Sequence, residues 1–209
     1  MSQRRPGQVI GRPGGGLEAG RNQWAANADV ARQGHAGELR TAAVLDPIAR
    51  TPGGPTVLHD LTIPGSRANI DHALVRGSDV LLIDSKQWKP GRYWTLPGLG
   101  TFRGRERFSY ADKATMAMAV DKVRTHLEAN GVQARVLTPL VVIWPSSKRG
   151  TVRTLFLRIP CARVIAGDSL ARAVGTGRAA DPQVVAALAK LLPAHRPVRT
   201  ASPAPTDTW

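Results

Sequence analysis

The sequence predicts one α/β domain with tails, organised around a central β-hairpin. Three observations carry that prediction. Residues 69–86, NIDHALVRGSDVLLIDSK, read as two apolar strands folded back on each other by Arg76-Gly77-Ser78-Asp79, because alternating and β-branched apolar residues flank a short Gly/Ser/Asp turn. Apolar residues at helical spacing stand on both sides of this hairpin, over 27–50 and over 110–130. A length of 209 residues is enough for one buried core with tails and too little for two domains.

Residues 1–22 are rich in Gly, Pro and Arg, a composition that buries too little apolar surface to order itself, and are expected to be a flexible basic arm. The domain is expected over 23–192, followed by a disordered Pro/Thr/Ala-rich tail over 193–209. Asn27 or Asp29 is expected to cap a helix that places Glu38, Ala42, Leu45 and Ala49 on one stripe. A carboxylate on such a core-facing stripe is costly unless a cation meets it. Gly34 and Gly37 weaken the helix and imply close approach to a neighbour. Pro52-Gly53-Gly54-Pro55 breaks the chain, and 56–63 is a strand ended by Pro64-Gly65. After the hairpin, 87–108 reads as short strands and turns in which Arg103, Arg105 and Arg107 alternate so as to line one face. Over 110–130, Met116, Ala119, Val120, Val123 and Leu127 form one helix face, and Gly131 ends the helix. The apolar run 136–144, interrupted by Pro139, ends in a strand covered on both faces. Lys148-Arg149-Gly150 is a basic turn before a strand over 152–159. Asp168 is expected to cap a short helix, and Asp181-Pro182 to open another over 183–192.

The formal charge is +14, from 29 Lys and Arg against 15 Asp and Glu, with a pI near 11.4. Residues 1–22 carry +3 and residues 193–209 carry +1, which leaves +10 on the body. The basic character is therefore not a tail effect, and it points to a polyanion partner, nucleic acid first and an anionic membrane surface second. Cys161 is the only cysteine, which excludes an intrachain disulfide and a CxxC site and fits a reducing cytoplasm. The N-terminal stretch has arginines but no apolar h-region, and apolar runs such as 140–144 and 184–189 are far short of a bilayer span. A soluble, cytoplasmic protein is expected.

The hairpin sets the candidate chemistry. With Gly77 and Ser78 as the turn, Asp71 falls opposite Asp84, and opposed strand residues share a face with Cβ atoms about 4.5–5.5 Å apart. Two carboxylates there repel. Lys86 follows Asp84 on the same face about 7 Å further along. Residue types alone leave two readings open, a bound cation between the carboxylates or a structural ion network with Lys86 and nearby arginines.

Four blocks in order, GHAGE at 34–38, VLHDLTIPG at 57–65, NIDH at 69–72 and LLIDSKQW at 81–88, resemble the nuclease-related domain (NERD) family of the PD-(D/E)XK superfamily. The resemblance extends more weakly to about residue 144. It implies a restriction-endonuclease-like core, a mixed β-sheet with the central hairpin flanked by helices, and a Mg²⁺-dependent nuclease acting on nucleic acid, DNA first, with Mn²⁺ as a substitute. On this resemblance Glu38, Asp71, Asp84 and Lys86 are the catalytic set. Glu38, Asp71, Asp84 and the Ser85 carbonyl would hold the metal, and Lys86 would face the scissile phosphate. Hard carboxylate oxygens suit Mg²⁺, and phosphodiester hydrolysis needs such a cation. Arg103, Arg105, Arg107, Lys148, Arg149, Lys89 and Arg92 are the expected nucleic-acid contacts. The alternative is a catalytically weak nucleic-acid-binding module on the same scaffold, serving a DNA-processing or plasmid-related protein assembly. The intact charged set favours the enzyme.

Other motifs carry less. GDSL at 167–170 copies an esterase nucleophile motif but lies late in the chain with no D-x-x-H after it. His59 and His72 match no metal-ligand spacing and read as packed or bonded strand histidines. Trp88, Tyr93 and Trp94, interleaved with Lys89 and Arg92, are candidates for base stacking and equally for core. The glycine runs at 14–16 and 98–104 lack the strand-loop-helix context of a phosphate loop and are turns.

Overall fold

The structure, a computed structural model, describes residues 5–14, 25–66, 68–112 and 115–193. Within them the chain is a mixed α/β arrangement of two mixed β-sheets and four α-helices. The helices are α1 (Ala25–Ala49), α2 (Thr115–Ala129), α3 (Leu170–Val174) and α4 (Pro182–Ala189). The larger sheet runs β1 (Val9–Ile10), β2 (Thr56–Thr62), β3 (Asn69–Arg76), β4 (Asp79–Trp88), β9 (Leu140–Pro145), β11 (Arg163–Ala166), with β8 (Arg135–Val136) also on β4. The smaller runs β10 (Val152–Phe156), β5 (Gly91–Leu96), β6 (Gly100–Arg103), β7 (Glu106–Arg107). None of the described helices is long and apolar enough to cross a membrane.

Strands β4 and β9 pair in parallel and are apolar on both faces, as a parallel pair covered on both sides must be. One face meets α1, with Leu45 and Ala49 against Leu81, Ile83, Leu140 and Val142. The other meets α2 and α4, with Met116, Val123, Leu127 and Leu188 against Val80, Leu82 and Val141. The hairpin has the register expected from a turn at Gly77-Ser78, Arg76 opposite Asp79 and so on to His72 opposite Ile83, and Gly77 takes φ +52°. Helix α2 ends as its sequence predicts. Gly131 at φ +68° lets the Gly131 and Val132 N–H groups bond back to Glu128 and Leu127. Asp181 caps α4 by accepting from the Gln183 N–H at 2.8 Å, with Pro182 in the first turn.

Several expectations are corrected. Residues 5–14 are not a free arm: Val9 and Ile10 pair in parallel with Val57 and Leu58, and Pro6 bridges Pro52. The small residues make this fit, since Gly7 lies on the Gly54 and Pro55 carbonyls with no room for a side chain. The rest of the proposed arm and the tail from 194 lie outside the described residues. Helix α1 starts at Ala25, so Asn27 and Asp29 sit within it rather than at its cap, where Ala25, Ala26 and Ala28 outweigh their capping preference. Asp168 is not a cap either. It lies exposed in a 3₁₀ turn (Gly167–Ser169) ahead of α3 that makes no side-chain capping bond, and Gly167 fixes this turn by packing against the Trp144 ring. The expected strand over 152–159 ends at Phe156, and β11 follows, pairing in parallel with β9.

The three arginines do not line one face. The chain reverses at Gly104, φ +58°, and β6 pairs with β7 so that Arg103 opposes Glu106 and Phe102 opposes Arg107. Arg103 and Arg107 therefore leave opposite faces of the ribbon, with Arg105 in the turn. Trp88 and Tyr93 are core, packed with Phe108 at ring separations of 4.7–5.0 Å.

Candidate active site

The sheet loses its regularity at one place, and the four charged candidates meet there. Between the pairs His59↔His72 and Leu61↔Ile70 stand Asp60 and Asp71, outside the paired register of β2 and β3. Leu58 and Leu61, three residues apart, share one core, as do Ile70 and Ala73. Each strand thus drops one step of its alternation at the aspartate, and Asp60 takes a left-handed φ of +60°. The β3–β4 ladder also stops here. Beyond His72↔Ile83 the Ser85 N–H donates to Asp71 Oδ2 at 2.6 Å. The ladder thus ends one pair short of the expected Asp71–Asp84 opposition, and Asp71 instead turns to the Ser85 N–H while its charge still interacts with that of Asp84.

Helix α1 brings Glu38 to the same place. The helix lies over β4 without needing a glycine there, since a methyl on Gly37 would make only ordinary contact, 3.5–3.6 Å, with the backbone between Lys86 and Gln87. Arg40 anchors the helix by bonding the Pro145 carbonyl at 2.8 Å and covering the Trp144 ring. Glu38 is 8% exposed. Burial and the Asp60 carboxylate raise its pKa from 4.5 to about 7, against the Gly14 N–H and Lys86, with Asp84 adding to the rise. Gly14, at φ +78°, reaches this position because the His35 ring leaves no room for a side chain there.

Asp71 is held well above the ordinary carboxylate range, first by burial and then by Asp84 and Glu38, with Lys86 and the Ser85 N–H opposing. Lys86 Nζ bonds Asp84 Oδ1 at 2.7 Å. Burial works against its ammonium, but Asp84, Asp71 and Glu38 outweigh it and hold its pKa above the usual lysine value. Asp84 and Lys86 line a cavity of about 280 Å³ with Trp88, Ala111, Thr115, Met116, Val141 and Ile159.

A buried polar chain lies beneath. His59 Nε2 meets Asp46 Oδ1 at 2.9 Å, and the two Nδ1 atoms of His59 and His72 face each other at 2.7 Å. His72 Nε2 meets Ser85 Oγ at 3.2 Å, Ser85 Oγ donates to Thr41 Oγ1, and Trp144 Nε1 donates to the same oxygen, both at 2.8 Å. Both histidines are bonded strand residues, as their sequence context suggests. One hydrogen lies between the facing nitrogens. Burial lowers both histidine pKa values, most strongly for His72, where the His59 ring adds to the effect. This chain fixes Ser85 from below while Asp71 holds it from the side.

Sequence reasoning missed Asp60. It is 6% exposed and accepts from Asn69 Nδ2 at 2.7 Å. The available signal was a lone carboxylate in the otherwise buried strand β2. Among the expected nucleic-acid contacts, Arg105 and Arg107 are exposed, as are Lys89, Arg92, Lys148 and Arg149. The loop after β9 folds onto the β4–β5 link, with Ser146 N–H on the Trp88 carbonyl and Gly91 N–H on that of Thr151, so the last four belong to neighbouring segments. Arg103 turns inward to Glu106 and the Pro90 carbonyl.

Among the described residues no three His, Cys, Asp or Glu side chains converge closely enough to hold a metal ion in this state. The carboxylate oxygens of Glu38, Asp71 and Asp84 are of the kind that a hard divalent cation takes. Burial and neighbouring carboxylates raise the pKa of both Glu38 and Asp71, and a divalent ion would relieve the same repulsion.

The sequence model of the nuclease-related domain, NERD, matches residues 33–144, more than half of the 209 residues. That span holds Glu38, Asp60, Asp71, Asp84 and Lys86. No curated protein and no solved structure matches the chain. The family match and the order of its charged residues lead to one conclusion: the chain belongs to the nuclease-related domain (NERD) family.

Proposed function

We propose that this chain is a metal-dependent nuclease on a restriction-endonuclease-like core, hydrolysing phosphodiester bonds of nucleic acid, with DNA as the substrate, Mg²⁺ or Mn²⁺ as the cofactor and the cytoplasm as its compartment. Membership of the nuclease-related family supports a nuclease-related function. The observation that carries the reading is the gathering of Glu38, Asp71, Asp84 and Lys86 where β3 and β4 part. A fold built for stability alone has no use for carboxylates that raise one another's pKa.

Asp71, Asp84 and Glu38 are the residues that would hold the ion, with the Ser85 carbonyl as a further oxygen. When bound, the ion supplies Lewis acidity, lowering the pKa of attacking water and neutralising charge that grows on the phosphate. Lys86 is paired with Asp84 in this state; with that carboxylate engaged elsewhere, its compact charge is free to face the scissile phosphate. Glu38 would complete that oxygen set or hold the attacking water in place. Lys89, Arg92, Lys148 and Arg149 would draw the phosphate backbone to the cavity mouth.

Two observations favour the alternative, a nucleic-acid-binding module with little chemistry acting beside a DNA-processing partner protein: Lys86 already pairs with Asp84, and no three acidic groups converge closely enough to hold a metal among the described residues. Incubation with supercoiled plasmid and with single-stranded DNA, in Mg²⁺, Mn²⁺ or EDTA, separates the two. Cleavage that needs the metal supports the enzyme; binding without cleavage in any metal supports the module.

A further inference from the structure

The outward face of the smaller sheet carries aromatic rings and arginines in register across four strands. Phe156 of β10 stands beside Trp94 of β5, which pairs with Phe102 of β6, which in turn opposes Arg107 of β7. Direct contacts place these side chains on one face. Trp94 stacks on Phe102 at 4.9 Å and 20°, Arg107 lies 5.7 Å from the Phe102 ring, and Arg92 lies 5.8 Å from that of Phe156. The opposite face of β5 and β6 buries Tyr93 and Thr101. Strand β10 is irregular between Arg153 and Phe156, so two consecutive apolar side chains, Leu155 at 84% and Phe156 at 57%, stand exposed.

The surroundings are strongly basic. Residues 89–107 and 148–158 hold nine Lys and Arg against one acidic residue, Glu106, and that glutamate pairs with Arg103 on the other face. Arg92 and Arg153 are register partners at the edge of the aromatic row. A row of flat rings flanked by arginines offers a stacking surface for unpaired bases and cations for the phosphates between them. A duplex keeps its base faces stacked inside and presents only their edges. Charge and ring geometry therefore favour a single strand.

We infer that this face, with Phe156, Trp94 and Phe102 as the stacking row and Arg92, Arg107 and Arg153 as phosphate contacts, is a binding platform for single-stranded nucleic acid. It deepens the nuclease reading by naming the substrate form, and rests on that reading for its use; the binding itself needs no cleavage. The test is fluorescence anisotropy in EDTA, with a labelled single-stranded 20-mer and the same sequence as a duplex. The single strand is expected to bind more tightly. Phe156→Ala is expected to weaken it about 5- to 150-fold, the range of one lost base stack, while Phe156→Trp restores it. Arg153→Ala is expected to lower the salt slope of log K by about 0.7.

Equal affinity of wild type and Phe156→Ala for the single strand overturns the inference. So does a preference for duplex that Phe156→Ala leaves unchanged. A wild-type dimer in sedimentation that Phe156→Ala dissociates assigns the face to a second copy instead. Binding to anionic vesicles that Phe156→Ala abolishes, with oligonucleotide affinity unchanged, assigns it to a membrane surface. Wild type that binds single strands but never cuts leaves the platform standing and removes the catalytic reading. Wild type that cuts, with Phe156→Ala binding as wild type, does the reverse.

Discussion

Glu38→Gln tests whether the site is built for a ligand. The substitution keeps the shape and an oxygen for the Gly14 N–H but removes a carboxylate whose pKa rises on folding from 4.5 to about 7. The sign follows from linkage. Below pH 4.5 the carboxyl is protonated in both states and has no differential effect; between 4.5 and 7 the unfolded chain ionises first, so stability falls as pH rises; above 7 the full penalty is present. A shift of this size corresponds to about 3 kcal/mol, or a melting difference of about 6–12 °C for a chain of this length. In EDTA, Glu38→Gln should therefore melt higher than wild type at pH 8 and equal to it at pH 4. Adding Mg²⁺ or Mn²⁺ at pH 8 should raise wild type and raise the variant much less. The measurement is a set of melting curves over pH 4–8, with and without divalent ion. A variant that melts lower than wild type at pH 8, or a difference that does not depend on pH, shows that Lys86 already satisfies Glu38 and that the cluster is a structural ion network.

Asp71→Asn keeps an oxygen for the Ser85 N–H and removes a repelling charge, so in EDTA above neutral pH it should also melt higher than wild type. Asp71→Ala loses that bond as well, and a melt of Asp71→Ala above Asp71→Asn would refute the role given to the Ser85 contact. His59→Leu leaves the buried His72 Nδ1 without its partner, an expected cost of about 1–3 kcal/mol. Urea unfolding reads this directly, and a value within about 0.5 kcal/mol of wild type would show that the histidine chain does not hold the strands.

The hairpin was legible because a two-residue turn and the period of two together fix which residues oppose one another, and the shared face of Asp84 and Lys86 followed from it, whereas the ladder ends at His72 and Ile83, one pair short of Asp71 and Asp84. Glu38 was legible as a carboxylate on an apolar helical stripe. The place where the ladder stops was not, since it depends on Asp60 adopting a left-handed conformation inside an apolar strand, which no local pattern announces. Strand β1 is two residues long in a Gly/Pro-rich stretch, and its order comes from β2 rather than from its own propensity. The arginine alternation misled because one glycine turn sends Arg103 and Arg107 to opposite faces. The histidines read only as bonded strand residues and Trp94 only as one stacking candidate, because the full histidine chain and aromatic row join residues far apart in sequence through contacts that only the assembled sheets create.

The most direct test of the catalytic site is the initial rate of Mn²⁺- or Mg²⁺-supported cleavage of single-stranded DNA by wild type, Asp84→Asn and Lys86→Ala, with the fold of each checked by circular dichroism. Wild type should cut only with the metal, and each variant, folded as wild type, should lose about 100-fold or more, since both groups act where charge develops in the transition state. Cleavage that persists in EDTA, or a folded Asp84→Asn that cuts at the wild-type rate, would contradict the assignment of this site.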